Sequence, residues 1–273
     1  MTLKELYKIG VESLKCKSDV ILLMESIFGI DKLHLITRGN ESVNNVDIFF
    51  EFLKRVKNGE PIQYVIGEAE FLGIKLKVGK GVFIPRQETE LLVKIVSDIL
   101  GDDFSGNIVD LCSGSGAISI YLKKKLKLSN VWAIEKSKKA FKFLVENVEA
   151  NHVKLNCILG DIFEESQKFE NETFDLIISN PPYIKTNDIE FLDKNVKFEP
   201  KMALDGGDDG LDFYRKIVKF WKEKLKPEAL IAFELGINQH NEVFDIMSEN
   251  KFENIRIFDD FSGIRRIIVG SKS

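Results

Sequence analysis

Residues 108–117 read Ile108-Val109-Asp110-Leu111-Cys112-Ser113-Gly114-Ser115-Gly116-Ala117. A short apolar run enters a glycine turn, and a helical pattern starts at Ala117 on the far side. In an open α/β sheet, strand–turn–helix junctions of this kind line the carboxyl edge, where ligands bind near a switch in strand order. Gly114 and Gly116 let the backbone turn sharply and come close to a ligand. Taken alone, the turn also suits a plain βα connection.

The flanking sequence supports the sheet. From Pro85 onward, helical patterns at 88–100, 117–127, 138–150, 211–225 and 241–250 alternate with strand patterns at 107–112, 131–134, 157–159, 174–179 and 229–234. Such alternation implies right-handed βαβ units and a mostly parallel sheet covered on both faces. Two further strands, 255–258 and 264–269, are too close together for a crossover helix. They are expected to pair antiparallel at an edge. Upstream, apolar spacing predicts about four helices: 3–14, a second capped by Ser18 or Asp19 and stopped at Gly29, a short one from Asp31, and 44–57. Residues 71–83 read as a hairpin with Gly79-Lys80-Gly81 as its turn. The expected organisation is a helical domain over 1–67, a hairpin connector over 68–84 and an α/β domain over 85–273.

The 273 residues carry 39 Lys and Arg against 43 Asp and Glu, a net charge of −4, with 44% hydrophobic residues. That is ordinary globular usage and excludes a largely disordered or fibrous chain. The slight acidity argues against broad phosphate neutralisation, so direct nucleic-acid binding is not expected. Cys16, Cys112 and Cys157 are odd in number and far apart, which fits a reducing cytoplasm better than a disulfide framework. The amphipathic start lacks the apolar core of a signal peptide, and no run approaches a membrane helix. His34, His152 and His240 show no metal-ligand spacing, so no metal is expected.

The chemistry of the ligand follows from where acidic residues stand. Glu135 ends the strand after the glycine turn, 25 residues beyond Asp110, where a carboxylate can accept from both hydroxyls of a ribose. The turn has the form D-x-x-x-G-x-G, and a carboxylate at Asp110 repels a pyrophosphate. It suits a cationic ligand with an ammonium group, so S-adenosylmethionine fits better than a dinucleotide. Asp161 and Ile162, after the third strand, can accept from an adenine amine and pack on the ring face.

The stretch Ile177-Ile178-Ser179-Asn180-Pro181-Pro182-Tyr183 leaves the fourth strand at the same sheet edge. Two prolines have fixed φ and no N–H, so the turn is stiff and its carbonyls lack an internal partner. Asn180 adds a side-chain carbonyl. Asn180 Oδ1 and a proline carbonyl, expected to be that of Pro181, make two fixed acceptors for a planar NH2 group. Tyr183 can stack on that plane. Holding both N–H groups aims the nitrogen at a methyl sulfonium and stabilises positive charge as it develops. No strong general base accompanies the turn.

With both loops in place, the chain resembles the class I S-adenosylmethionine-dependent methyltransferases, and more closely the release-factor glutamine N5-methyltransferase family. The resemblance rests on Pro61–67, 83–90 (Phe83-Ile84-Pro85-Arg86-Gln87-Glu88-Thr89-Glu90), 180–184, Phe198-Glu199-Pro200, Ala203-Leu204-Asp205-Gly206-Gly207, Asp209-Gly210-Leu211, Glu234-Leu235-Gly236 and 260–266. It implies a Rossmann-like α/β methyltransferase sheet, mostly parallel with an antiparallel edge strand, plus a small N-terminal helical domain. It implies methylation of the glutamine in the Gly-Gly-Gln motif of class 1 peptide chain release factors by a cytoplasmic enzyme, taken as a monomer. The N-terminal domain and hairpin would dock the protein substrate. Carried over by motif, Asp110 and Cys112, Ser113, Gly114, Ser115 and Gly116 hold the cofactor, Glu135 meets the ribose, and Asp161 and Ile162 flank the adenine. Asn180, Pro181, Pro182 and Tyr183 bind the substrate amide, with Asn180 also near the cofactor. Gln87, Glu135 and Ile162 depart from the residues commoner in the family, which are Pro, Asp and an aromatic. Two other readings share these motifs: a nucleic-acid methyltransferase acting on adenine N6 or another exocyclic amine, and a non-catalytic module on the same fold.

Overall fold

Thr2 accepts from the Glu5 N–H while Glu5 accepts from that of Thr2, a reciprocal cap that starts α1 (Leu3–Leu14). The computed structural model describes residues 1–273. The helices α2 (Lys17–Phe28), α3 (Lys32–Arg38), α4 (Val46–Lys57) and α5 (Ile62–Ile66) follow. Leu3, Leu6, Val20, Leu23, Met24, Phe49 and Leu53 form their shared core. Helix α2 begins at Lys17, with Cys16 in the cap position and no side-chain cap bond. The expected caps Ser18 and Asp19 therefore lie inside the first turn, where the Asp19 carboxylate still suits the positive end of the helix. Asp31 does cap α3 through the His34 N–H. The fifth helix, α5, is one turn that begins after Pro61 and that apolar periodicity could not resolve.

The hairpin consists of β1 (Glu68–Phe71) and β2 (Ile74–Lys77). Its turn is Leu72-Gly73, at φ +49° and +75°, a primed hairpin geometry that matches strand twist. The expected turn at Gly79-Lys80-Gly81 lies beyond the second strand, because the pairing has already ended at Lys77. Phe71, Ile74 and Leu76 are buried against Leu92, Val93 and Val96.

The remaining elements are α6 (Gln87–Leu100), β3 (Asn107–Leu111), α7 (Ala117–Lys125), β4 (Asn130–Glu135), α8 (Lys138–Ala150), β5 (Asn156–Leu159), α9 (Ile162–Glu165), β6 (Phe174–Ser179), α10 (Asp212–Trp221), β7 (Leu225–Glu234), α11 (His240–Glu249), β8 (Phe252–Asp259) and β9 (Arg265–Lys272). Gln87 opens α6, a position where a proline's fixed φ is an asset. Glutamine there forgoes only that preorganisation, worth about 0.4–1 kcal/mol. The chain divides into two compact units, Met1–Glu68 with Asp193–Phe198, and Ala69–Leu192 with Glu199–Ser273.

Seven strands form one sheet in the order β5-β4-β3-β6-β7-β9-β8. β3 pairs parallel with both β4 and β6, so the strand order reverses at β3 and the crevice for a ligand opens between the ends of β3 and β6. The central strands β3 and β6 are buried on both faces. Val109, Leu111, Ile177 and Phe233 pack with Tyr214, Ile217 and Trp221 on one side. Ile108, Leu176 and Ile178 pack with Leu92, Ile118 and Ile120 on the other. This double burial is what a parallel sheet between helical layers requires. As expected, the last two strands pair antiparallel at an edge of the sheet. β9 is inserted between β7 and β8 and runs antiparallel to both, leaving β8 at the edge.

Candidate active site

The register Leu111↔Ser179 sets the glycine turn beside the Asn-Pro-Pro-Tyr turn, and the Ser179 hydroxyl donates to the Leu111 carbonyl at 2.6 Å, tying the two strand ends together. Beyond Leu111 the backbone enters positive φ three times, at Cys112 (+64°), Gly114 (+55°) and Gly116 (+85°). At Gly116 the left-handed φ favours glycine, and an added Cβ would also press on Leu144 Cδ1 at 2.5 Å. At Gly114 a Cβ would meet nothing within 4 Å, so the turn faces open space. Ser113 pins the turn by donating to the Asp110 carbonyl at 2.8 Å. Asn147, fully buried, donates to the Ser115 carbonyl at 3.0 Å and also pairs with the Lys77 backbone, so α8 and the hairpin brace the same loop.

Asp110 is wholly buried. Its Oδ2 accepts from the Ser119 hydroxyl, and its Oδ1 is buried without a partner. Burial pushes its pKa up to about 7, against the opposing pull of Ser119 and Ser113. Burial also pushes the Cys112 thiol up, so this cysteine is a neutral wall of the loop and no nucleophile. Glu135, 8% exposed, accepts from the Gly114 N–H at 2.9 Å through Oε2 and from the Ser137 N–H at 2.6 Å through Oε1. A carboxylate offers about four lone-pair positions, so acceptor capacity remains for a ligand. Burial raises its pKa, opposed by those backbone donors.

Asp161 caps α9 through the Phe163 N–H at 2.9 Å and pairs with Lys136 at 2.8 Å. Burial opposes its ionisation, but Lys136 and the cap hold its pKa below the usual value. Ile162 is 4% exposed and belongs to the core with Trp221, whose indole N–H donates to its carbonyl. The residues fit an S-adenosylmethionine-like ligand on three counts. An orphaned buried carboxylate oxygen suits an ammonium, open space above Gly114 admits a ligand close to the backbone, and an acidic side chain ends β4.

In the second turn the Asn180 amide donates from Nδ2 to Thr89 Oγ1 at 3.0 Å. Thr89 in turn donates to Glu234 Oε2 at 2.5 Å. Tyr183 donates its hydroxyl to Glu234 Oε1 at 3.2 Å, and Tyr214 donates to the Glu234 carbonyl at 2.8 Å. With Nδ2 committed to Thr89, Asn180 Oδ1 faces away from it. The Pro181 and Pro182 carbonyls accept no hydrogen bond from the protein, and both prolines are trans. Tyr183 is packed against the core and its hydroxyl is engaged, so its ring edge is fixed. Burial, and then the nearby Glu234 charge, push its pKa up. Glu234 is 1% exposed, and burial pushes it up to about 7.

The glycine motifs downstream clamp this turn. A Cβ on Gly206 would lie 2.7 Å from Tyr183 Cα, and one on Gly210 would overlap the Tyr183 carbonyl oxygen. Gln239 Nε2 donates to that same carbonyl at 2.9 Å. Ile184 bridges to 204–206 through two backbone hydrogen bonds, of 2.9 and 2.8 Å. Glu199 accepts from the Ile84 N–H and from Arg86, tying 199 to the start of α6. Thr89 and Glu234 stand in stretches that carry the family resemblance but had no chemical role assigned from sequence, and Ser119 and Asn147 were not singled out. The one local signal was Glu234 itself, a carboxylate closing an otherwise apolar strand.

The methyltransferase small domain model matches residues 74–196, and the PrmC N-terminal domain model matches residues 5–67. A release factor glutamine methyltransferase of Thermodesulfovibrio yellowstonii is 38% identical over 252 residues, 90% of this chain and 89% of its own length. The chain belongs to the release factor glutamine methyltransferase family. Another member of the release factor glutamine methyltransferase family, from Clostridium botulinum, is 34% identical over 283 aligned residues and is covered in full, as is this chain. Among solved structures, a methyltransferase from Pyrococcus furiosus aligns with a TM-score of 0.57 at 15% identity, covering 81% of this chain and 97% of its own. The 16S rRNA N2 G1207 methyltransferase of Thermus thermophilus, solved with AdoMet and guanosine, aligns with a TM-score of 0.54 at 18% identity, over 76% of this chain and 50% of its own. These two share the class I methyltransferase fold.

Proposed function

We propose that the chain transfers a methyl group from S-adenosylmethionine to the side-chain amide nitrogen, N5, of the glutamine in the Gly-Gly-Gln motif of class 1 peptide chain release factors. Family membership supports the activity, and one geometric observation supports the site. The Asn180 amide gives its N–H to Thr89 and keeps Oδ1 free, next in the chain to the unpartnered Pro181 carbonyl. When bound, S-adenosylmethionine supplies an electrophilic methyl group on a sulfonium. Asn180 Oδ1 and the Pro181 carbonyl each accept one N–H of the glutamine amide. An amide lone pair is delocalised, and two fixed acceptors help localise it and stabilise the positive charge that develops on nitrogen. Pro182 keeps the turn stiff and Tyr183 walls it. Cys112, Ser113, Gly114, Ser115 and Gly116 shape the cofactor loop, and Asp110 Oδ1 takes the ammonium. Glu135 takes the ribose hydroxyls, and Asp161 and Ile162 flank the adenine.

No helix is long and apolar enough to cross a membrane. Within the same reading the enzyme works in the cytoplasm as a monomer and makes no direct nucleic-acid contact. The helical domain of 1–67, with the hairpin connector of 68–84, docks the protein substrate to the methyltransferase domain of 85–273. The test is incubation of purified protein and S-adenosylmethionine with a purified release factor, with a DNA arm in parallel. A single added methyl on the Gly-Gly-Gln glutamine by peptide mass spectrometry is expected. An unmodified factor, or label in adenine, would overturn the reading.

A further inference from the structure

The chain Asn180–Thr89–Glu234 carries a constraint on proton placement. A planar carboxamide looks much the same either way round, so something must decide which of its two ends meets the substrate. Thr89 is 3% exposed and has one hydroxyl proton. Its oxygen lies 2.5 Å from Glu234 Oε2 and 3.0 Å from Asn180 Nδ2. An ionised carboxylate is an acceptor only. It draws the Thr89 proton, which leaves Thr89 only lone pairs to show Asn180. Asn180 must then present its NH2 to Thr89 and its Oδ1 to the opposite side. Were the Thr89 proton turned toward Asn180, the amide would settle with NH2 toward the substrate, facing another NH2.

We propose that Thr89 and Glu234 are positioning residues that fix the amide orientation of Asn180, so that its oxygen and not its nitrogen meets the substrate. This rests on the methyl-transfer reading above. Neither residue touches the reacting atoms. The groups facing Glu234 are Thr89 and Glu88 from α6, Tyr183 from the turn after β6, Tyr214 from α10, and Arg266 from β9 with its partner Asp260. Tyr183 also donates to Glu234, so in its ionised form the carboxylate has a hydroxyl on each oxygen. Protonation removes one of these acceptor positions and releases a hydroxyl proton to the network.

The experiment measures turnover on release factor at saturating S-adenosylmethionine, with cofactor affinity by calorimetry as a check on folding. Thr89→Val keeps the shape and removes the hydroxyl. It should lower kcat about ten- to a hundredfold, the scale of a misplaced reacting group, with cofactor affinity within about threefold. Thr89→Ser should restore kcat to within about threefold. Glu234→Gln can donate to Thr89 and reverse the orientation, so it should lose kcat to a similar degree. Wild-type kcat should rise with pH through about 7, where burial places Glu234, and Glu234→Gln should lack that limb. Wild-type kcat in Thr89→Val, or an unchanged pH profile in Glu234→Gln, overturns the proposal. If Thr89→Val loses cofactor binding outright, the Glu234→Gln profile decides alone. Wild-type protein that methylates no release factor brings down the underlying reading, and this proposal with it.

Discussion

Glu135 Oε2 accepts the Gly114 N–H at 2.9 Å, across 21 residues of chain. The residue expected to hold the ribose therefore also holds the loop that faces it. Glu135→Ala should orphan two backbone donors, Gly114 and Ser137. Each unsatisfied buried group costs about 1–3 kcal/mol. Both donors are only part-buried, so water meets part of their need and urea unfolding should show a combined loss of about 1–3 kcal/mol. Calorimetry should show a cofactor affinity reduced at least about tenfold, since roughly 1.4 kcal/mol of lost binding is a factor of ten. Undiminished affinity would remove Glu135 from the cofactor site.

Asn180→Ala removes an acceptor that matters most when charge develops on the substrate nitrogen. The expected loss in kcat is about a hundred- to a thousandfold, by analogy with deleting one oxyanion-hole donor. Cofactor affinity should stay within about tenfold, because Asp110, Glu135 and the glycine loop are untouched. Steady-state kinetics on release factor, paired with calorimetry, separates the two effects. A variant with wild-type kcat would deny Asn180 its role.

The parts of this architecture that were legible are those whose physics is local. Gly114 and Gly116 sit at positive φ, and the two prolines after Asn180 have their dihedrals built in, so the sequence displays both turns directly. The central strands of the parallel sheet are largely apolar runs because both faces are covered. What depended on distant pairing was not legible. The short connection announces the β8–β9 ladder, but no local pattern announces the β7–β9 ladder that sets β9 inside β8. The hairpin turn was missed because Leu72, at φ +49°, carries none of the usual turn chemistry, while Gly79 and Gly81 do. Thr89 and Glu234 meet across 145 positions, so neither residue's own surroundings reveal the other.

Gly210→Ala tests the clamp on the Asn-Pro-Pro-Tyr turn. Gly210 lies at φ +76°, and an added methyl group runs into the Tyr183 carbonyl. The turn must shift, so kcat should fall at least about tenfold while cofactor affinity holds. The matched control is Gly29→Ala at the end of α2, at φ +66° with open space around it. That change carries only the backbone strain, about 1 kcal/mol of stability, and should leave turnover alone. Equal turnover in the two variants would show that the clamp does not govern the site.

Asp110→Asn tests the buried carboxylate through its proton. The unfolded chain ionises this group near the ordinary aspartate value, about 3.9, whereas burial holds it protonated in the folded protein up to about 7. Between those values the folded state binds more protons than the unfolded one, so this group makes stability fall as pH rises. The penalty is absent below the unfolded value and complete above about 7. Asparagine does not titrate and escapes it. Relative to wild type, Asp110→Asn should therefore gain stability between pH values of about 4 and 8, by up to the order of 4 kcal/mol. The same substitution removes the charge opposite an ammonium group, so cofactor affinity should fall even where stability has risen. Urea unfolding at both ends of the range, with calorimetry at the upper end, reads the two effects separately. A stability difference independent of pH would mean that Asp110 ionises normally in the folded chain.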